Sequence, residues 1–217
     1  MHFVDAWTSL PPLDAVLLLA PAAVAIIAML LPGRAVARTA SIAIALAVPV
    51  LPELGTIAVR VWWLALWLGV AIVSGVKHDL APRGEASRSG GVESGAIGLL
   101  LGGALLVLMI VGLGRQDLPP ELTRPATAGM LLITAGLAHL MLRRDALRGA
   151  MAFATIGLGL QWLDAAVRLV VLEADELPAG AVLFATAVAV VLASRVAFVR
   201  QHDAGSAWVS HAHDLHD

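Results

Sequence analysis

Three polar side chains sit within one apolar run and pose the question of chemistry. Gln161, Asp164 and Arg168 occur in LGLQWLDAAVRLVV, and spacings of three and four place them on one face of a helix. A carboxylate at membrane depth is costly, so by default it marks a functional path or a paired packing device. In the first reading Asp164, Gln161 and a water relay protons or ions. In the second, Asp164 and Arg168 neutralise each other and face a neighbouring helix, with Arg168 reaching toward the headgroups. His139, in GLAHLMLRR, poses a similar choice. Its imidazole titrates near neutral pH and can shuttle protons, or it hydrogen-bonds a backbone carbonyl near the interface. A third set lies in the tail AWVSHAHDLHD. There His211, His213 and His216, with Asp214 and Asp217, have spacings that suit a borderline divalent metal. The competing reading is a polar tail that docks on a soluble partner through Trp208 and Val209.

Other chemistries are excluded by residue type. Cysteine is absent, which removes disulfides, thiolate metal sites and cysteine nucleophiles. No Gly-rich phosphate loop, HExxH, GxSxG or CxxC occurs. A net charge of −2 argues against a nucleic-acid partner. The chain thus has no self-sufficient active site and no cofactor of its own.

The elements that position these residues are apolar helices. Of 217 residues, 59% are hydrophobic, against ~45–50% in a soluble domain. Seven stretches carry the excess: Leu13 to Leu31, Ala35 to Leu51, Thr56 to Val76, Ser94 to Leu113, Ala126 to Leu142, Ala146 to Leu172 and Ala179 to Phe198. A helix crossing a bilayer needs ~20 residues, and lipid leaves backbone polar groups no outside partners. The expected fold is therefore all-α, a polytopic bundle of seven transmembrane helices. Nothing basic precedes the first stretch, so it reads as a retained span and not as a secretory signal. The second is the weakest, being short, containing Arg38 and ending at Pro49 and Pro52.

Charge sets the orientation. Arg34, Arg38, Lys77, Arg83, Arg88, Arg143, Arg144, Arg148, Arg195 and Arg200 fall on one side, while Arg60, Arg115, Arg124 and Arg168 fall on the other. The positive-inside rule places the N-terminus outside and the C-terminus in the cytoplasm. Residues 1–76 then form three spans, 77–93 a polar cytoplasmic linker, 94–200 a four-helix half, and 201–217 the cytoplasmic tail. Asp14 lies near the outer end of the first span, and Trp62, Trp63 and Trp67 read as an interfacial aromatic anchor. Gly98 and Gly102 form a GxxxG, which suits close helix packing. No inverted repeat spans the linker, so one signature of secondary transporters is missing.

The runs GLAHLMLRRDALRGAMAFATIGLGLQWLDAAVRL and AVLFATAVAVVLASRVAFVRQH carry a resemblance. They are similar to the E component of hydrogenase-4, a membrane subunit of group 4 hydrogenase and formate hydrogenlyase complexes. The similarity runs through Arg143, Arg144, Asp145, Ala146, Leu147 and Arg148, and through the last span ending Leu192-Ala193-Ser194-Arg195. The last three spans also look like the small three-helix subunit of respiratory complex I. The resemblance covers about half the chain, and the first four spans match in hydropathy alone. It implies a non-catalytic membrane subunit supporting assembly and coupled proton or ion translocation in an electron-transport complex. The implied partners are antiporter-like proteins, the lipid bilayer, and a cytoplasmic soluble arm met by the tail. Nickel-iron and iron–sulfur clusters would belong to partner subunits. The chain departs from the family at one informative position: the family's intramembrane glutamate matches Gly157 here. A second acid, where the family carries one in the last span, has no counterpart in GAVLFATA. Alternatives are a subunit of another complex I-like ion-translocating or inorganic-carbon uptake assembly, and a small free-standing transporter.

Overall fold

Proline and glycine punctuate the apolar runs and set where each helix begins and breaks. The computed structural model describes residues 7–31, 34–75, 119–142, 146–168 and 177–204, with isolated positions between 100 and 115. Among them are six α-helices: α1 (Pro12–Leu30), α2 (Arg34–Ala47), α3 (Ile57–Gly75), α4 (Pro120–Leu142), α5 (Ala146–Arg168) and α6 (Leu177–Ala204). Pro12 starts α1 at its first position, where a missing N–H removes no helical hydrogen bond. The Lys77–Gly91 connector and the tail histidines His211, His213 and His216 lie outside the described residues. In the fourth stretch, Leu100, Gly103, Ala104, Val107, Leu108, Val111 and Gly112 are helical and exposed. Gly98 and Gly102 lie outside the description.

Four segments are long and apolar enough to cross a bilayer: Pro12–Met29, Ile57–Gly75, Arg148–Arg168 and Ala179–Arg200. That marks the chain as an all-α membrane protein. The segment Arg148–Arg168 is 61% buried, against 22–28% for the other three, so α5 occupies the centre.

The second stretch differs most from expectation. Pro49 has no N–H to continue the ladder, so α2 stops at Ala47 and tightens into two 3₁₀ turns, Val48–Val50 and Pro52–Leu54. Gly55 (φ 109°) then takes a backbone conformation that side chains disfavour and turns the chain into α3. At 14 residues α2 is only ~21 Å long. Two contacts hold it antiparallel to α3. The Arg38 side chain lies against Gly75, where an added Cβ would be 2.9 Å from Arg38 Cδ. Arg60 Nη1 donates to Pro49 O at 3.0 Å. The helix and its 3₁₀ extension thus run beside α3 from Gly75 to Arg60.

One core joins helices from both sides of the connector. It contains Leu18 and Ala25 of α1, Ile44 of α2, Trp63 and Trp67 of α3, Leu132 of α4, and Leu158 and Trp162 of α5. The expected aromatic anchor is therefore divided. Trp63 and Trp67 are fully buried, and only Trp62 is exposed. A spacing of four puts the two buried indoles on one face of α3. That face meets other helices and not the headgroup boundary.

The α4–α5 crossing brings two backbones into close contact. A Cβ on Gly129 would lie 2.7 Å from Gly159 O, and one on Gly159 2.6 Å from Gly129 O. A Cβ on Gly136 would lie 2.8 Å from Ala152 O. Only glycine lets these two backbones meet, as close helix contacts in lipid require.

Candidate functional site

The seam between α3 and α5 holds the deep polar residues that the spacing of Gln161, Asp164 and Arg168 pointed to. Trp63 Nε1 donates to Gln161 Oε1 at 3.3 Å, with both side chains buried. This bond shows which face of α5 is turned to α3. One and two turns toward the end of α5, on the same face, stand Asp164 and Arg168. Arg168 Nε donates to Asp164 Oδ2 at 2.7 Å, and the side chains are 21% and 16% exposed. The expected i,i+4 pair is formed. Gln161 is tied to Trp63 and Asp164 to Arg168, so the three do not form one continuous hydrogen-bonded chain. The Gln161 amide is 3.3 Å from a buried indole, a long bond that contributes roughly 1 kcal/mol. Gln161→Leu is thus expected to lower stability by about 1–2 kcal/mol through the Trp63 N–H left buried. A thermal melt followed by tryptophan fluorescence checks this.

His139 is buried in the last part of α4, with Nε2 3.2 Å from the Ala25 carbonyl of α1. The imidazole–carbonyl contact of the second reading is present. Nearby in α1, Arg148 of α5 reaches two further carbonyls: Nη1 to Ala28 O at 3.4 Å and Nη2 to Leu31 O at 3.3 Å. Ala28 O would normally accept from the residue four ahead, which is Pro32 and has no N–H. Arg148 supplies the missing donor. The charge pattern used Arg148 only as an orientation marker. The signal for its role was the proline ending the first stretch.

Gly157 is filled from the last helix. An added Cβ would meet Thr186 Oγ1 and Cγ2, and would lie 2.7 Å from Thr186 Cβ. Thr186 Oγ1 already donates to Val182 O at 2.7 Å within its own helix. Gly157 is therefore a tight α5–α6 contact, with no room for a side chain.

Buried hydroxyls are mostly satisfied locally. Ser41, Thr127, Thr155 and Ser194 each donate to the carbonyl four residues back. Among the described residues, Trp67 Nε1, Trp162 Nε1 and Ser74 Oγ are buried with no hydrogen-bond partner. No group of three metal-binding side chains occurs among the described residues, which exclude the tail.

No family model matches this chain, and neither the curated proteins nor the solved structures include one significantly similar to it.

Proposed function

We propose that the chain is a non-catalytic membrane subunit of a hydrogenase-4 or formate hydrogenlyase-like complex related to complex I. In this reading it supports assembly and coupled proton or ion translocation by the whole complex. Redox chemistry, nickel-iron and iron–sulfur clusters belong to its partners, because the chain has no cysteine to hold a cluster. It spans the bacterial or archaeal inner membrane seven times, N-terminus outside. The tail touches the soluble arm, and the exposed apolar faces meet lipid and antiporter-like subunits.

The observation that carries this reading is the engagement of the deep polar groups in holding helices together. Gln161 accepts from Trp63, His139 meets Ala25 O, and Arg148 meets Ala28 O and Leu31 O, each between two helices, while Asp164 is paired by Arg168 within α5. The resemblance of the last three spans adds the assembly. The test is to purify the tagged chain in mild detergent and identify what accompanies it. Large antiporter-like proteins and a nickel-iron soluble arm are expected. A stable lone monomer overturns the subunit reading. Companions from an inorganic-carbon uptake or other ion-translocating system move the chain to that class.

Asp164→Asn separates packing from conduction. The pair is partly exposed and within one helix, so its loss costs about 0.5–1 kcal/mol. The complex should assemble less completely, with turnover per assembled complex kept. Normal assembly with lost ion pumping would instead assign Asp164 to conduction.

One observation favours the free-standing transporter as a second reading. The second apolar stretch breaks into 3₁₀ turns at Val48–Leu54, and the Pro52–Leu54 turn packs on α5. Discontinuous helices are where transporters bind substrates. Uptake by vesicles containing this chain alone would favour it.

A further inference from the structure

At one end of the bundle the described helices stop together, and α6 runs on. Thr186 of α6 lies against Gly157 of α5. The short connection 169–176 makes these two helices antiparallel neighbours. Arg195 is as far past Thr186 as Arg148 is before Gly157, so the two arginines stand at one height. Arg148 binds Ala28 O and Leu31 O where α1 ends. Counting in the same way from the Trp63–Gln161 bond puts Gly75, the end of α3, level with Gly149. The turn from Leu142 of α4 to Ala146 of α5 lies there too, and α2 begins about a turn above, four residues before the Arg38 that touches Gly75. The crossing segment of α5, Arg148–Arg168, is 21 residues, or about 31 Å, which matches ~30 Å of hydrocarbon. It therefore sets the hydrocarbon boundary on α6 at Arg195. From there α6 continues to Ala204, about 13 Å further, and headgroups account for only ~5–8 Å of that.

The overhang is apolar where water would be its neighbour. Val196 is 53% exposed and Val199 50%. Arg195, Val199 and His202 are all exposed, and spacings of four and three put them on one face. Val199 stands about 6 Å above the boundary and His202 about 10 Å, at and beyond the outer edge of the headgroups. An exposed valine within the crossing segment is covered by lipid, but acyl chains do not reach this high. Charge narrows the occupant. Arg34, Arg38 and Arg195 are exposed at this end, with Arg200 half-buried on the overhang itself. Asp203 is the one acid at this end among the described residues, and Asp14, Glu53, Glu121 and Asp164 belong to the opposite end. A second copy in the same membrane would run parallel and set Arg195 and Arg200 against themselves, which like charges oppose. An apolar face framed by arginines suits a protein patch with an apolar centre and an acidic edge. We propose that residues 196–204 of α6 form a post on which such a patch of the complex's soluble arm docks. Val199 is the central apolar contact, and Arg195 and Arg200 meet the acids around it. The proposal rests on the subunit reading and gives it a contact point on the described helices.

The tagged full-length chain is purified with its companions in mild detergent, and mass spectrometry measures soluble-arm and membrane subunits per copy of the chain. Val199→Asp is expected to lower the soluble arm about tenfold, the scale of one valine side chain lost from an interface, while the membrane companions stay. Arg200→Glu should lower it severalfold, and Arg200→Lys, which keeps the charge, much less. Val191→Ser changes an exposed valine of the same helix within the crossing segment and should leave the arm bound. An arm retained in both Val199→Asp and Arg200→Glu overturns the post and leaves the subunit reading standing. An equal loss in Val191→Ser overturns it as well. A parent chain that purifies without any companion overturns both. Should Val199→Asp fail to insert, a photo-crosslinking residue at position 199 of the otherwise native complex decides. Crosslinks to a soluble-arm protein support the post. Crosslinks confined to lipid, to residues 205–217 of the same chain or to a second copy overturn it.

Discussion

Gly157→Glu is expected to leave little or no folded protein in the membrane. The variant introduces the acid that the resemblance would place at this position, and the fold has no place for it. Its Cβ alone would lie 2.7 Å from Thr186 Cβ and would collide with the Thr186 hydroxyl and methyl. Overpacking of that kind costs ~1–3 kcal/mol, and Gly157→Ala should show that part by itself. The carboxylate adds a further ~2.5–3.5 kcal/mol for an acid within a span. The combined loss approaches the ~5–15 kcal/mol total stability of an ordinary domain. The measurement is the yield of monodisperse protein in detergent, with the unfolding temperature where any is obtained. Thr186→Gly clears the space and should recover part of the Gly157→Ala loss, with much less recovery for Gly157→Glu. If Gly157→Glu folds as well as the parent, α6 does not seal this face of α5. A carboxylate route through the helix bundle then becomes open again.

Arg148→Met should release the end of α1 from α5. Methionine keeps much of the side-chain volume and removes both donors. The bonds to Ala28 O and Leu31 O are long, at 3.4 and 3.3 Å, so their attraction is modest. The larger effect is the carbonyl left behind in a buried position with no water to reach it. About 2–4 kcal/mol of destabilisation is expected. Cleavage by protease near Leu31 should rise in parallel, since α1 is held there by this contact. Pro32→Ala returns a backbone N–H four residues beyond Ala28 and should recover roughly half of the loss in the Arg148→Met background. No recovery would mean that Arg148 acts through its charge and not as a substitute donor.

Helix positions were legible from hydropathy and punctuation. The first and third stretches, Leu13 to Leu31 and Thr56 to Val76, match Pro12–Leu30 and Ile57–Gly75 within a residue at each end. Proline explains the second stretch, where the apolar run continues to Leu51 but the regular helix stops at Ala47. The fifth begins earlier than expected, at Pro120, because Pro125 is tolerated within the helix near its N-terminus. The Asp164–Arg168 pair was legible because i,i+4 geometry is local to one helix. The packing of Trp63 and Trp67 was not. Their spacing says that they share a face, and gives no sign of what that face meets.

The sequence by itself determined that this chain is apolar enough for lipid, where its helices break, and which ionisable groups can pair along one helix. Only the tertiary structure decided which face of each helix turns inward. In a membrane bundle both faces are apolar, so periodicity does not distinguish core from lipid. That choice depends on contacts far apart in the chain. Trp63 meets Gln161 across 98 residues, and Arg148 meets Ala28 across 120. Gly129 meets Gly159 and Gly157 meets Thr186 only because backbones approach closely enough to exclude a Cβ. Those contacts give Gly157 its tight fit and Arg148 its carbonyl partners.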